Sequence, residues 1–237
     1  MPLRDWFRGG RNGLGQQVDE ALALARAGDL EGSVAIISES FPRALDQLRG
    51  RGEQVDAGWL RLAAALEYRS GLLPEAQSSA ERALALEADA STWHLLGRIR
   101  GWLQLPDADA AFRQAASLQP DDYPVPHRVT REHFAALAEE AFATIPAGFR
   151  ARLDNTMVVV DDLPDIEAVR EGEDPDVLGI YDGATAMDRG LPERIVLYQR
   201  NHEQVCGTEA ELRKEVNETM RHEIGHHFGM EEDELPC

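Results

Sequence analysis

Leu212, Val216, Met220 and Ile224 recur at intervals of four, a register that specifies an α-helix with one face sealed in a core. Thr208 and Glu211 stand just before this stripe in a Thr-x-x-Glu pattern, which satisfies the free N–H groups of a helix start. The helix is therefore predicted to begin near Thr208. It carries His222-Glu223-Ile224-Gly225-His226. One turn separates the two histidines, about 40° around the axis, so both imidazoles can reach one ion. Glu223 points to the side of that pair, where it can hold a water without itself being a ligand. His227 falls on the apolar side of the helical wheel and is expected to be a hydrogen-bonded core residue.

That division of labour is what zinc hydrolysis requires. Two neutral imidazoles and a third ligand hold Zn²⁺ while a fourth position stays open. A carboxylate then takes the proton as an activated water attacks a polarised carbonyl. The pattern predicts His222 and His226 as ligands and Glu223 as general base. His94, His127 and His133 have no spacing partner and are expected to be structural or exposed. His202, read as lying in a loop after a strand, is a minor candidate for the site.

The first half of the chain has a different texture. Residues 16–118 are rich in Ala and Leu with helical spacing and few β-branched runs. Leu60, Ala63 and Ala64, a turn at Gly71, then Ala76, Ala80 and Ala83 describe one helix pair. Trp93, Leu96 and Gly97, then Ala108, Phe112 and Ala115, describe another with the same four-then-three spacing in the second helix. Small residues there let two helices approach closely, and each pair leaves an apolar face for its neighbour. These stretches resemble the tetratricopeptide repeat, and the segment from Ala21 to Leu48, with its turn at Gly28-Asp29-Leu30, is a weaker third copy. The resemblance implies a scaffold for a protein or peptide partner.

Three prolines within Pro120–Pro126 exclude a helix interior, so a domain boundary is expected there: helical repeats over 1–120, a linker over 121–128, and a second domain over 129–237. In the second domain a helix is predicted over about 132–144, and strands over 156–160, 178–181 and 194–198. Helix and strand mix without a regular βαβ repeat, which makes the class α+β. Residues 161–176 hold eight acids and one Arg without the alternate spacing and turn glycine of a calcium loop, and are expected to form a solvated, mobile loop.

The net charge of −19 is concentrated in the second half, which carries −16 against −3 for residues 1–120. Such a field repels phosphate backbones and anionic membranes, so neither is an expected partner. No apolar run nears the roughly 18 residues of a membrane span, and the charged start Met1-Pro2-Leu3-Arg4-Asp5 is unlike a signal peptide, so a cytoplasmic protein is expected. Cys206 and Cys237 form neither a disulfide framework nor a CxxC metal pair.

His222-Glu223-Ile224-Gly225-His226-His227-Phe228-Gly229-Met230, followed by an acidic cluster and Leu235, resembles the minimal zincin family of bacterial metallopeptidases. Ile145-Pro146, the Val-rich strand, Leu178 to Gly183, and Leu191 to Tyr198 fit the same family, so the match extends over about residues 130–235. The resemblance implies a compact metzincin-like domain holding one Zn²⁺. In one zincin branch the third ligand is a Glu on a second helix twenty or more residues on, and only 11 residues follow His226. In the other branch a Gly turns the chain and a ligand arrives six positions after the second His. Gly229 is placed for that turn, the sixth position is Glu232, and Asp233 one step on is chemically equivalent. True metzincins use His where this chain has an acid, and Met230 comes too early to form their Met-turn.

In zincins a strand before the metal helix forms the edge along which an extended peptide pairs. The segment from Arg194 to Tyr198 is the expected equivalent, with Tyr198 or Tyr181 near the scissile carbonyl. The sequence thus reads as a zinc metallopeptidase acting on peptide or protein, with the helical repeats as substrate or partner adaptor. The rival reading is a non-catalytic adaptor whose zinc site is structural or silent.

Overall fold

The computed structural model describes residues 13–37, 40–52, 54–153, 156–183 and 193–228, with the backbone alone at His226 and His227. Seven helices come first: α1 (Leu14–Ala27), α2 (Leu30–Ala35), α3 (Phe41–Gly50), α4 (Ala57–Arg69), α5 (Leu73–Leu86), α6 (Ala90–Trp102) and α7 (Ala108–Leu118). Then follow α8 (Arg131–Ala143), α9 (Ala147–Arg150), β1 (Thr156–Asp161), α10 (Ile166–Glu171) and β2 (Gly179–Asp182). The last elements are β3 (Glu193–Tyr198), α11 (Gln199–Val205) and α12 (Glu209–His227). Contacts divide the chain into two compact units, Met1–Tyr123 with Ile166–Gly172, and Pro124–Asp165 with Glu173–Cys237.

In the first unit, antiparallel helix pairing follows from residue size. Ala76, Ala80 and Ala83 of α5 are fully buried, as are Ala63 and Ala64 of α4. Gly97 of α6 is needed for the approach of α7, because a Cβ there would sit 2.9 Å from the Phe112 ring. Arg61 is 2% exposed; its guanidinium meets Asp89 at 2.8 Å, and Asp89 in turn caps α6 by accepting from the Thr92 N–H. The segment from Ala21 to Leu48 turns where its sequence indicates: Gly28 takes φ 89° and Asp29 caps α2. Its second helix is not one piece, however. α2 is six residues long, and α3 starts afresh with Pro42 in its first turn, where a missing N–H breaks no bond.

The acidic run 161–176 is also not the open loop expected of it. α10 forms within it, Val169 is 1% exposed, and Ile166 packs against the cluster of Leu73, Leu95 and Ile99. Glu167 and Glu171 stay in solvent. At the α4–α5 turn Gly71 takes φ 68°, and a Cβ would meet Arg170 Cγ of α10 at 2.9 Å.

The second unit is α+β. Among the described residues its strands form one sheet in the order β1-β3-β2. β1 is parallel to β3, pairing Val158 with Ile195 and Val160 with Leu197. β2 is antiparallel to β3, pairing Gly179 with Leu197 and Tyr181 with Ile195. Ile195 and Leu197, both fully buried, face a core of Phe134, Leu137, Ala138 and Ala141 from α8 and the four-residue stripe of α12. Expected to lie at an edge, β3 is instead the central strand, so both of its hydrogen-bonding sides are taken. Among the described residues, no helix is long and apolar enough to cross a membrane.

Candidate functional site

α12 starts with the capping box its sequence specifies. Glu211 N–H donates to Thr208 Oγ1 at 3.2 Å, while Glu211 Oε2 accepts from the N–H groups of Thr208 at 3.0 Å and Gly207 at 2.8 Å. Leu212, Val216 and Met220 are fully buried and Ile224 is 6% exposed. That stripe fixes the helix's rotation, and Glu215, Glu218, Thr219 and His222 are thereby turned to one adjoining face. The backbone stays helical through His227, so His226 lies on the same face one turn beyond His222.

This face forms one wall of a cleft of about 550 Å³, and Val177, Leu178 and Gly179, entering β2, form the opposite wall. His222 is half-buried and Glu223 is 5% exposed, and both line the cleft. Gly179 permits the close approach of the walls: a Cβ there would lie 2.9 Å from Thr219 Cγ2 and 3.0 Å from the Val196 carbonyl oxygen. The cleft is acidic. Glu215 is held above its ordinary value, chiefly by burial and then by neighbouring Glu218, while Lys214 pairs with Glu218 at 3.1 Å.

Imidazole nitrogen and carboxylate oxygen are zinc's ordinary protein donors, and this wall offers His222 with His226 in helical register behind it. Glu223, 5% exposed next to His222, adds carboxylate oxygen to the same wall. That donor set suits zinc. Among the described residues no three His, Cys, Asp or Glu side chains gather round one point. The His226 imidazole, the His227 side chain, Gly229, Met230 and both candidate third ligands, Glu232 and Asp233, lie outside the described residues.

Residues 153–237 match the family model of zincin-like metallopeptidases. No curated protein matches the chain. The matched segment takes in β1, β2, β3 and α12 but omits α8, which supplies much of the core beneath them.

Within the zincin-like segment the two tyrosines part company. Tyr181 shares a sheet face with Ile195 and Leu197 and packs against the core under α12. Its phenol is pushed up to about 12 by burial, then by a hydrogen bond to Glu193. Tyr198 follows Leu197 directly, so the pleat turns it to the opposite sheet face, away from α12. There burial, with Glu173 and Asp161 nearby, pushes it up to about 12. Of the two candidate tyrosines, Tyr181 is therefore the one on the α12 side of the sheet.

His202 lies in α11, fully buried. Nδ1 is 2.9 Å from the Tyr198 carbonyl oxygen and Nε2 is 3.1 Å from Thr219 Oγ1. Burial lowers it to about 4, so it is neutral and both nitrogens are engaged, which removes it from the ligand candidates. His127 and His133 both meet Glu209, at 3.3 and 2.9 Å, and His94 packs on the rings of Phe112 and Tyr123. Sequence reasoning passed over Glu215, Thr219 and Gly179. The first two carry a readable signal, since 215, 219, 222 and 226 follow one helical stripe. Gly179 needs the fold.

Proposed function

We propose that the chain is a zinc-dependent metallopeptidase, with His222, His226 and Glu232 as ligands, Asp233 as the alternative third ligand, and Glu223 as general base. The observation that carries the reading is the burial of Glu223 beside His222 in a cleft bounded by an edge strand. The match of residues 153–237 to zincin-like metallopeptidases supports it.

When bound, zinc supplies Lewis acidity that polarises a carbonyl and acidifies water. Glu223 accepts the proton of the attacking water and returns it to the leaving amine; its low exposure keeps bulk water from competing. An extended peptide pairs with β2, which among the described strands has one side unpaired and lies against α12, rather than with the central β3. Tyr181, on the α12 side of that strand, is the tyrosine nearest in topology to such a peptide. The helical pairs of the first unit, with their tetratricopeptide-like spacing, serve as an adaptor for substrate or partner.

The test is zinc stoichiometry and peptide cleavage for the wild type and Glu223→Ala. One zinc per chain in both proteins, with turnover lost by about 10²-fold or more in the variant, supports the reading. Zinc uptake without cleavage of a broad peptide library would mark a silent site and leave the adaptor reading in its place.

A further inference from the structure

Two adjacent residues of α11 reach opposite walls of the cleft. Asn201, fully buried, donates from Nδ2 to the carbonyl oxygens of Pro175 at 2.9 Å and Val177 at 2.7 Å, while Gln204 Nε2 donates to its Oδ1 at 3.2 Å. Val177 belongs to the strand-side wall, and Pro175 lies two residues before it. His202 reaches the helix-side wall. The carbonyl of Tyr198 can only accept, so Nδ1 carries the proton and donates to it. In the neutral ring Nε2 is then bare, and the Thr219 hydroxyl donates to it. The Phe134 ring meets His202 edge-on at 5.3 Å and closes the remaining side.

Thr219 is thereby fixed in one orientation, hydroxyl toward His202 and methyl close to Gly179 of the facing wall. Thr219 stands one helical turn before Glu223 and three residues before His222. A buried hydroxyl with a single firm acceptor does not rotate freely, and a buried amide with every polar atom satisfied does not shift without leaving carbonyls unpaired.

We propose that Asn201 and His202 are positioning residues that set the width of the cleft, each holding one wall from the same turn of α11. The consequence for the reaction rests on the peptidase reading; the mechanical claim does not. Neither residue touches substrate. Their effect is the gap between β2 and α12 into which a peptide strand must fit.

The experiment uses the full chain with Thr219→Val, which keeps the methyl shape and removes the donor, and Thr219→Ser, which keeps the donor. Amide hydrogen exchange is followed by NMR, and hydrolysis of a quenched-fluorescent peptide pool gives KM and kcat. Thr219→Val is expected to speed exchange over Gly179–Asp182 by about tenfold while α8 keeps its rates, as loss of one buried hydrogen bond implies. KM rises with kcat nearly unchanged, and Thr219→Ser restores both. Asn201→Ala gives the same local release over 177–182. Nitrogen shifts of His202 are expected to show a protonated Nδ1 and a bare Nε2 at neutral pH. Wild-type exchange at β2 in Thr219→Val, equal acceleration throughout α8 and α12, or a protonated Nε2 would each overturn the proposal. A wild type that cleaves nothing overturns the peptidase reading instead, and the exchange rates still decide the strut.

Discussion

His133 Nε2 lies 2.9 Å from Glu209 Oε1, so a residue of α8 holds the first residue of α12. His127 meets the same carboxylate at 3.3 Å and Arg213 approaches it at 3.5 Å. The hydrogen bond from His133 is the main reason the Glu209 carboxyl sits below its ordinary value. A depressed carboxylate contributes stability above its unfolded value of 4.5 and loses it as pH falls through the folded value. Glu209→Gln is therefore expected to cost roughly 0.5 kcal/mol at pH 7, a small figure because the pair is exposed to water. The deficit fades as pH falls from 4.5 through the lower folded value. Urea unfolding at pH 7 and below that folded value checks it.

Gly179→Ala is expected to be far costlier than its one added methyl suggests. The new Cβ would press on the Val196 carbonyl oxygen at 3.0 Å and on Thr219 Cγ2 at 2.9 Å. Backbone in a paired strand cannot retreat as a side chain can. A loss of about 1–3 kcal/mol follows, measured by denaturant unfolding, with widening of the cleft visible as weaker peptide binding.

Glu215 runs the other way from Glu209. Burial and Glu218 raise its folded value, so its contribution to stability declines as pH climbs past the unfolded 4.5. Glu215→Gln is expected to stabilise the zinc-free protein at pH 7 by a few tenths of a kcal/mol, discounted for partial exposure. Below about pH 4 the two proteins should melt together. A variant less stable than wild type at pH 7 would contradict this account of the cleft's charge.

Tyr198→Phe should leave kcat/KM within about twofold of wild type, since its hydroxyl is on the sheet face opposite α12. Steady-state cleavage decides it. A tenfold loss would mean that the phenol reaches substrate.

What the sequence made legible is what local chemistry encodes. The capping pair Thr208–Glu211, the stripe from Leu212 to Ile224 and the alanines of α5 each state their geometry within a few turns of chain. Strand order is not stated that way. The segment from Arg194 to Tyr198 reads as a strand in either position, and only its simultaneous pairing with β1 and β2 makes it central. α10 escaped notice because its helix rests on two apolar anchors, Ile166 and Val169, amid charges that dominate the composition. His202 was misplaced because a seven-residue helix directly after a strand leaves too short a periodic signal. The cleft's second wall joins residues 177–179 to an α12 face about forty positions away, a pairing no local pattern announces.

Phe134, Leu137, Ala138 and Ala141 lie outside the segment that matches the family, yet they are the surface on which Leu212, Val216 and Met220 are seated. An expression fragment cut at residue 153 would therefore leave an apolar flank of α12 open to water and to other copies of itself. The shortest piece worth producing alone starts before α8, far enough upstream to keep Thr130, whose side chain accepts from the His133 N–H and caps that helix.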